Sequence, residues 1–113
     1  MTQLEALALT IAIELAVVAV FAVVLRFWPR PAWPRAFLIA AAASLLSHPW
    51  AWWANTTALV AMPFAERAAV IEGTVVAFEA ILYALAGGLP WWRAIVVALA
   101  ANATSFAIGL VIT

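Results

Sequence analysis

Three of the five glutamates in this chain stand where carboxylates are least expected. Glu14 lies in "LTIAIELAVVAVFA", and Glu72 and Glu79 lie in "AVIEGTVVAFEAILY", both otherwise nearly all apolar. A carboxylate in such surroundings must pair, hold a proton, or face a polar interior. Two acids close together titrate in separate steps, which suits proton exchange, and a cation can replace the proton. The single histidine, His48, adds an imidazole. Glu14, Glu72 and His48 then form a carboxylate–imidazole set for a divalent metal, of a kind that helix-bundle cores hold. A glutamate able to activate water for hydrolysis is a variant of that chemistry. Neither Glu-x-x-His nor His-Glu-x-x-His spacing occurs.

These residues need elements to position them. The chain has 113 residues, 70% hydrophobic and 9% charged, against roughly 45–50% and 25% in soluble domains. That length supports one domain, residues 1–113. Lipid is the solvent that fits the composition, and the expected class is an all-α integral membrane protein. Four apolar segments, at about 7–27, 36–53, 66–86 and 91–112, are each near the ~20 residues that cross a ~30 Å hydrocarbon core. "RFWPRPAWPR" cannot continue a helix and ends the first. "NTTALVAMP" separates the second from the third. Gly87 and Gly88 suit a helix C-terminus, and Pro90 the first turn of the next helix. Trp28, Trp33, Trp53, Trp91 and Trp92 fall at segment ends, where indoles prefer the headgroup level.

Arg26, Arg30, Arg35 and Arg93 belong to the first and third connections, and only Arg67 to the other side. The positive-inside bias therefore predicts both termini outside and loops 28–35 and 87–92 in the cytoplasm. The preference for Ala, Val, Leu and Arg points to a GC-rich bacterial genome, hence a bacterial inner membrane. Net charge is zero, so nucleic acid is not an expected partner. No cysteine is present, which removes thiol chemistry.

Sliding the chain against itself by 58 positions aligns "IELAVVAVFA" with "IEGTVVAFEA", and "WPRAFLIAAAASLLS" with "WWRAIVVALAANATS". Between residues 11 and 47 there are 13 identities in 37 positions, six of them Ala with Ala. Glu14 with Glu72, Trp33 with Trp91, Arg35 with Arg93 and Ser47 with Ser105 carry the information, because those residue types are scarce. The expected architecture is a four-helix transmembrane bundle of two tandem, parallel-repeat hairpins, about 7–53 and 66–112.

In that arrangement Glu14 and Glu72 lie at equal depth, ~10 Å inside the outer helix ends. Ser47, His48 and Ser105 come to nearly the same level, and Ser44 and Asn102 lie one turn deeper. Glu79 follows Glu72 by seven residues on the same face, and Tyr83 continues that face. The candidate proton, cation or ligand site is therefore Glu14, Glu72, His48, Glu79, Asn102, Ser47 and Ser105. Ala101, Ser105, Gly109 and Thr113 form a small-residue stripe suited to close helix packing. Pro49, after His48, removes a backbone hydrogen bond at the Leu45 carbonyl.

The leading expectation is proton- or cation-linked transport. The alternatives are a structural or accessory subunit of a larger membrane complex, or an intramembrane metal-binding site or enzyme. Partners would be the lipid bilayer and further copies of the chain or other membrane subunits.

Overall fold

A computed structural model describes residues 2–112. The first helix, α1 (Gln3–Ala19), begins at a Thr2 cap whose hydroxyl accepts from the Glu5 amide at 3.1 Å. Ser or Thr followed three residues later by Glu is a capping-box spacing, and the early glutamate also suits the helix dipole. At its far end the helix widens into a π-turn, Val20–Val24, and the chain reverses at Arg26, whose φ is 56°. A short 3-10 turn, Arg30–Ala32, leads into α2 (Trp33–Trp53). This helix continues through Pro49 and is prolonged by a second π-turn, Ala54–Ala58. Half of the expected second connection is therefore helical. Then come α3 (Phe64–Leu85) and α4 (Trp91–Ile112), the latter with Pro90 before it as expected.

Three helical stretches, Gln3–Val24, Phe64–Leu85 and Trp91–Ile112, are long and apolar enough to cross a membrane. Although α2 has 21 residues, it is not among them. Ser44, Ser47, His48, Pro49 and its tryptophans dilute its apolar character. The second expected span, 36–53, is matched in length only.

The helices close a ring in which α1 packs on α2 and α4, and α3 packs on the same two. The side chains larger than alanine in the main core are Val18, Phe21, Trp28, Ile39, Tyr83, Leu89 and Val97. Alanines fill the remainder, with Ala22, Ala36, Ala40, Ala94 and Ala98 fully buried, and such small residues let helix backbones approach closely. Along the small-residue stripe Ala101 is buried while Ser105 and Gly109 are half-buried; Thr113 lies outside the described residues. At positions matched by the 58-residue offset, Ile13 and Ile71 are both buried, but Glu14 is buried where Glu72 is half-buried.

The two Arg-bearing connections meet at one end of the bundle. The Trp28 indole N–H donates to the Gly87 carbonyl at 2.9 Å, and Arg35 donates to the same oxygen at 3.4 Å. Trp28 is thus buried, unlike the exposed Trp53, Trp91 and Trp92. Its N–H has found a carbonyl freed at a helix end. Gly87 sits so close to α3 that an added Cβ would stand 2.5 Å from the Tyr83 carbonyl oxygen, while Gly88 takes the left-handed conformation, φ 71°.

This packing makes Gly87→Ala costly, because the atom in the way is backbone. We expect a clear fall in melting temperature in detergent. Gly73, with no atom within 4 Å of an added Cβ, is the control: Gly73→Ala should leave stability unchanged or raise it by at most ~1 kcal/mol. Equal effects at the two positions would refute the packing argument.

Candidate functional site

Two carboxyl groups form the centre of the bundle. Glu14 on α1 and Glu79 on α3 are each 2% exposed, and Tyr83, one turn beyond Glu79, is fully buried. The Tyr83 hydroxyl donates to Glu14 Oε1 at 2.7 Å, which ties α3 to α1 across the ring. Asn102 on α4 donates from Nδ2 to Glu79 Oε1 at 2.7 Å, and the same nitrogen donates to the Ala98 carbonyl at 2.8 Å. That second bond, four residues back along α4, holds the amide in place. The Glu14 and Glu79 carboxyls are close enough to interact directly. Glu79 Oε2 is buried with no hydrogen-bond partner among the described residues.

Neighbouring layers fix these positions. The Tyr83 ring packs against Trp28 with centroids 5.9 Å apart, and Trp28 is held by Gly87. Val18, Ala80, Val97 and Ala98 belong to the same apolar cluster. No Arg or His pairs with either carboxyl among the described residues, so their charge has no protein counter-ion.

The sequence candidates divide into groups. Glu14, Glu79 and Asn102 come together, joined by Tyr83. Glu72, His48 and Ser105 instead line a cavity of about 320 Å³ nearer the other end, with Thr10, Asn55 and Trp52. Ser47 lines a third place, an apolar cavity of about 270 Å³ beside Thr74 and Phe78. Ser44 is buried on α2. His48 packs against Trp52 with ring centroids 6.0 Å apart, and its buried Nε2 makes no hydrogen bond among the described residues.

The expected level pairing of Glu14 with Glu72 is replaced by Glu14 with Glu79. Seven residues separate Glu72 from Glu79, or ~10 Å of helix. For the same reason the expected ligand set of Glu14, Glu72 and His48 does not converge. Among the described residues no three His, Cys, Asp or Glu side chains gather in a metal-binding arrangement. Tyr83 was marked in the sequence only by its spacing, four residues after Glu79. Its reach across the ring has no sequence signal.

A half-buried Glu72 connects the two polar regions. It lines the 320 Å³ cavity with His48, and also another cavity, about 270 Å³, whose wall includes Asn102. Comparison with family models, with curated proteins and with solved structures finds no match to this chain.

Removing a donor from a buried carboxyl leaves an unsatisfied oxygen, which costs about 1–3 kcal/mol. Tyr83→Phe and Asn102→Leu should each destabilise by that amount in reversible unfolding from mixed micelles. Ser47→Ala, outside the cluster, should change stability by no more than about 0.5 kcal/mol. Indistinguishable values for Tyr83→Phe and Ser47→Ala would remove the Tyr83–Glu14 bond from the stability of the fold.

Proposed function

We propose that this chain is a small integral membrane protein whose buried carboxyl pair takes up and releases a proton or cation, making it a proton- or cation-linked transporter. The observation that carries this reading is the pair itself. Glu14 and Glu79 are adjacent, almost wholly buried, and served only by the neutral donors Tyr83 and Asn102. Two such carboxyls without a cationic side chain must draw charge compensation from outside. A proton or a metal cation is the smallest species that supplies it. Glu79 Oε2, with no partner, is the oxygen that would receive it.

Membrane insertion is supported by three helices of spanning length and by the outward side chains. Leu38, Leu85 and Val111 are 70%, 73% and 85% exposed, and a sheath of this kind suits hydrocarbon. The arginine-bearing end, with Arg26, Arg30, Arg35 and Arg93, would face the cytoplasm of a bacterial inner membrane, and both termini would lie outside. Glu72 and His48 would then lie on the outer approach to the pair. The tandem-hairpin origin remains part of this reading. Four helices make a thin wall around a pathway, so a second copy is expected beside the first.

A second reading is an accessory subunit of a larger membrane complex. It is favoured by the same two hydrogen bonds, which fasten α3 to α1 and α4 whether or not a proton moves.

Reconstitution separates the two. Vesicles carrying the wild-type chain and an internal pH-sensitive dye should acidify under an imposed potential faster than empty vesicles. Glu14→Gln and Glu79→Gln should fold yet reduce that rate at least ~10-fold, the scale of a lost proton-transfer group. Flux equal to that of empty vesicles, or unchanged by both substitutions, would eliminate the transport reading and leave the fastening one.

A further inference from the structure

The arginines at the tied end are not all used in the same way. Arg35 donates to the Gly87 carbonyl, and Arg67, at the opposite end, donates to the Val60 and Met62 carbonyls at 3.1 and 3.2 Å. Arg26, Arg30 and Arg93 donate to no carbonyl or carboxylate among the described residues. All three line a single cleft of about 780 Å³, walled by Phe27, Trp28 and Trp33 and without an acidic side chain.

Aromatic rings hold the Arg30 and Arg93 guanidinium groups in place without neutralising them. Arg93 lies over Phe27 at 4.9 Å and over Trp92 at 5.2 Å, and its Nε is buried with no hydrogen-bond partner among the described residues. Arg30 lies over Trp33 at 5.9 Å. Arg26, exposed and two residues beyond the π-turn, has φ 56°, a left-handed conformation that costs an L side chain energy. Stacking on aromatic faces orients a guanidinium while leaving its N–H fork available. Burying a charged donor atom without an acceptor is unfavourable. Three forks around one aromatic-walled cleft match the oxygens of a tetrahedral dianion or of a phosphodiester.

We propose that the cleft formed by Arg26, Arg30 and Arg93 binds the phosphate group of an anionic ligand. The phosphate can belong to a lipid headgroup or to a soluble phosphate compound. The chemistry is the same: guanidinium forks to non-bridging oxygens, with Phe27, Trp28 and Trp33 against the apolar part or simply excluding water. The Trp28 and Tyr83 rings stand between the cleft and the Glu14–Glu79 pair, and the proposal holds whether or not that pair carries protons.

The test is binding to the full-length protein in neutral detergent, read by native mass spectrometry. The probes are phosphatidylglycerol, phosphatidylcholine and inorganic phosphate. Wild-type protein should retain phosphatidylglycerol in preference to phosphatidylcholine, and Arg93→Gln or Arg26→Gln should weaken retention about tenfold, the scale of one charge-assisted hydrogen bond. Arg67→Gln removes the same charge at the other end and should leave retention unchanged. Arg30→Gln serves if the other variants unfold, since Arg30 is exposed and its side chain makes no hydrogen bond among the described residues. Displacement of the lipid by millimolar inorganic phosphate, or phosphate binding alone with the same dependence on arginine, supports the site and assigns it to a soluble phosphate. Retention that resists phosphate assigns it to a lipid headgroup. No binding of either anion, equal retention of the two lipids, or equal losses with Arg67→Gln and Arg93→Gln would overturn the proposal.

Discussion

A polar group inside an apolar bundle has only the protein to satisfy it, and the interior of this molecule is arranged around that requirement. Two carboxyls lie side by side at the centre. Their donors come from different helices: Tyr83 from α3 serves Glu14 on α1, and Asn102 from α4 serves Glu79 on α3. The first of these bonds runs across the ring, not between neighbours in it. A side chain can make that reach only where the helices stand close. The fully buried alanines of the first π-turn, α2 and α4 are what permit it. Alanine richness and the polar centre are therefore two sides of one design.

The two ends of the bundle differ in kind. At one end aromatic rings and arginines interlock with the loops, and Trp28 and Arg35 converge on one carbonyl. At the other, cavities separate the helices, and His48, Glu72 and Asn55 line the larger of them. Every glutamate lies away from the arginine-rich connections in sequence, so a chain with no net charge still carries a strong internal polarity. An electric asymmetry of this sort can orient a chain across an interface.

Much of the helical layout was legible in the sequence because punctuation and hydropathy agree. The fourth helix runs Trp91–Ile112 as Pro90 and the apolar run imply, and the third differs from expectation by a residue or two at each end. The π-turns were not legible. Val20–Val24 and Ala54–Ala58 read as ordinary helix end and ordinary loop, and only the backbone bonds distinguish them. Trp28 resembles the other terminal tryptophans in sequence, yet a carbonyl within reach of its N–H draws it inside. The site was half legible. Glu14, Glu79 and Asn102 stand out by residue type in an apolar setting. Which glutamate faces Glu14 depends on how far one hairpin is shifted along the other, and composition does not encode that axial shift. A matching offset of 58 residues favours Glu72, while packing selects Glu79.

The absence of a side chain at Gly87 reaches further than the turn it makes. Its carbonyl gathers donors from the first connection and the start of α2, while any Cβ there would collide with the Tyr83 carbonyl. Mechanically this is a pinned joint, and the pin is one helical turn from the tyrosine that holds Glu14. Strain applied to either loop, by a ligand or a neighbouring chain, is transmitted with little slack through Trp28 and Tyr83 to the carboxyl pair.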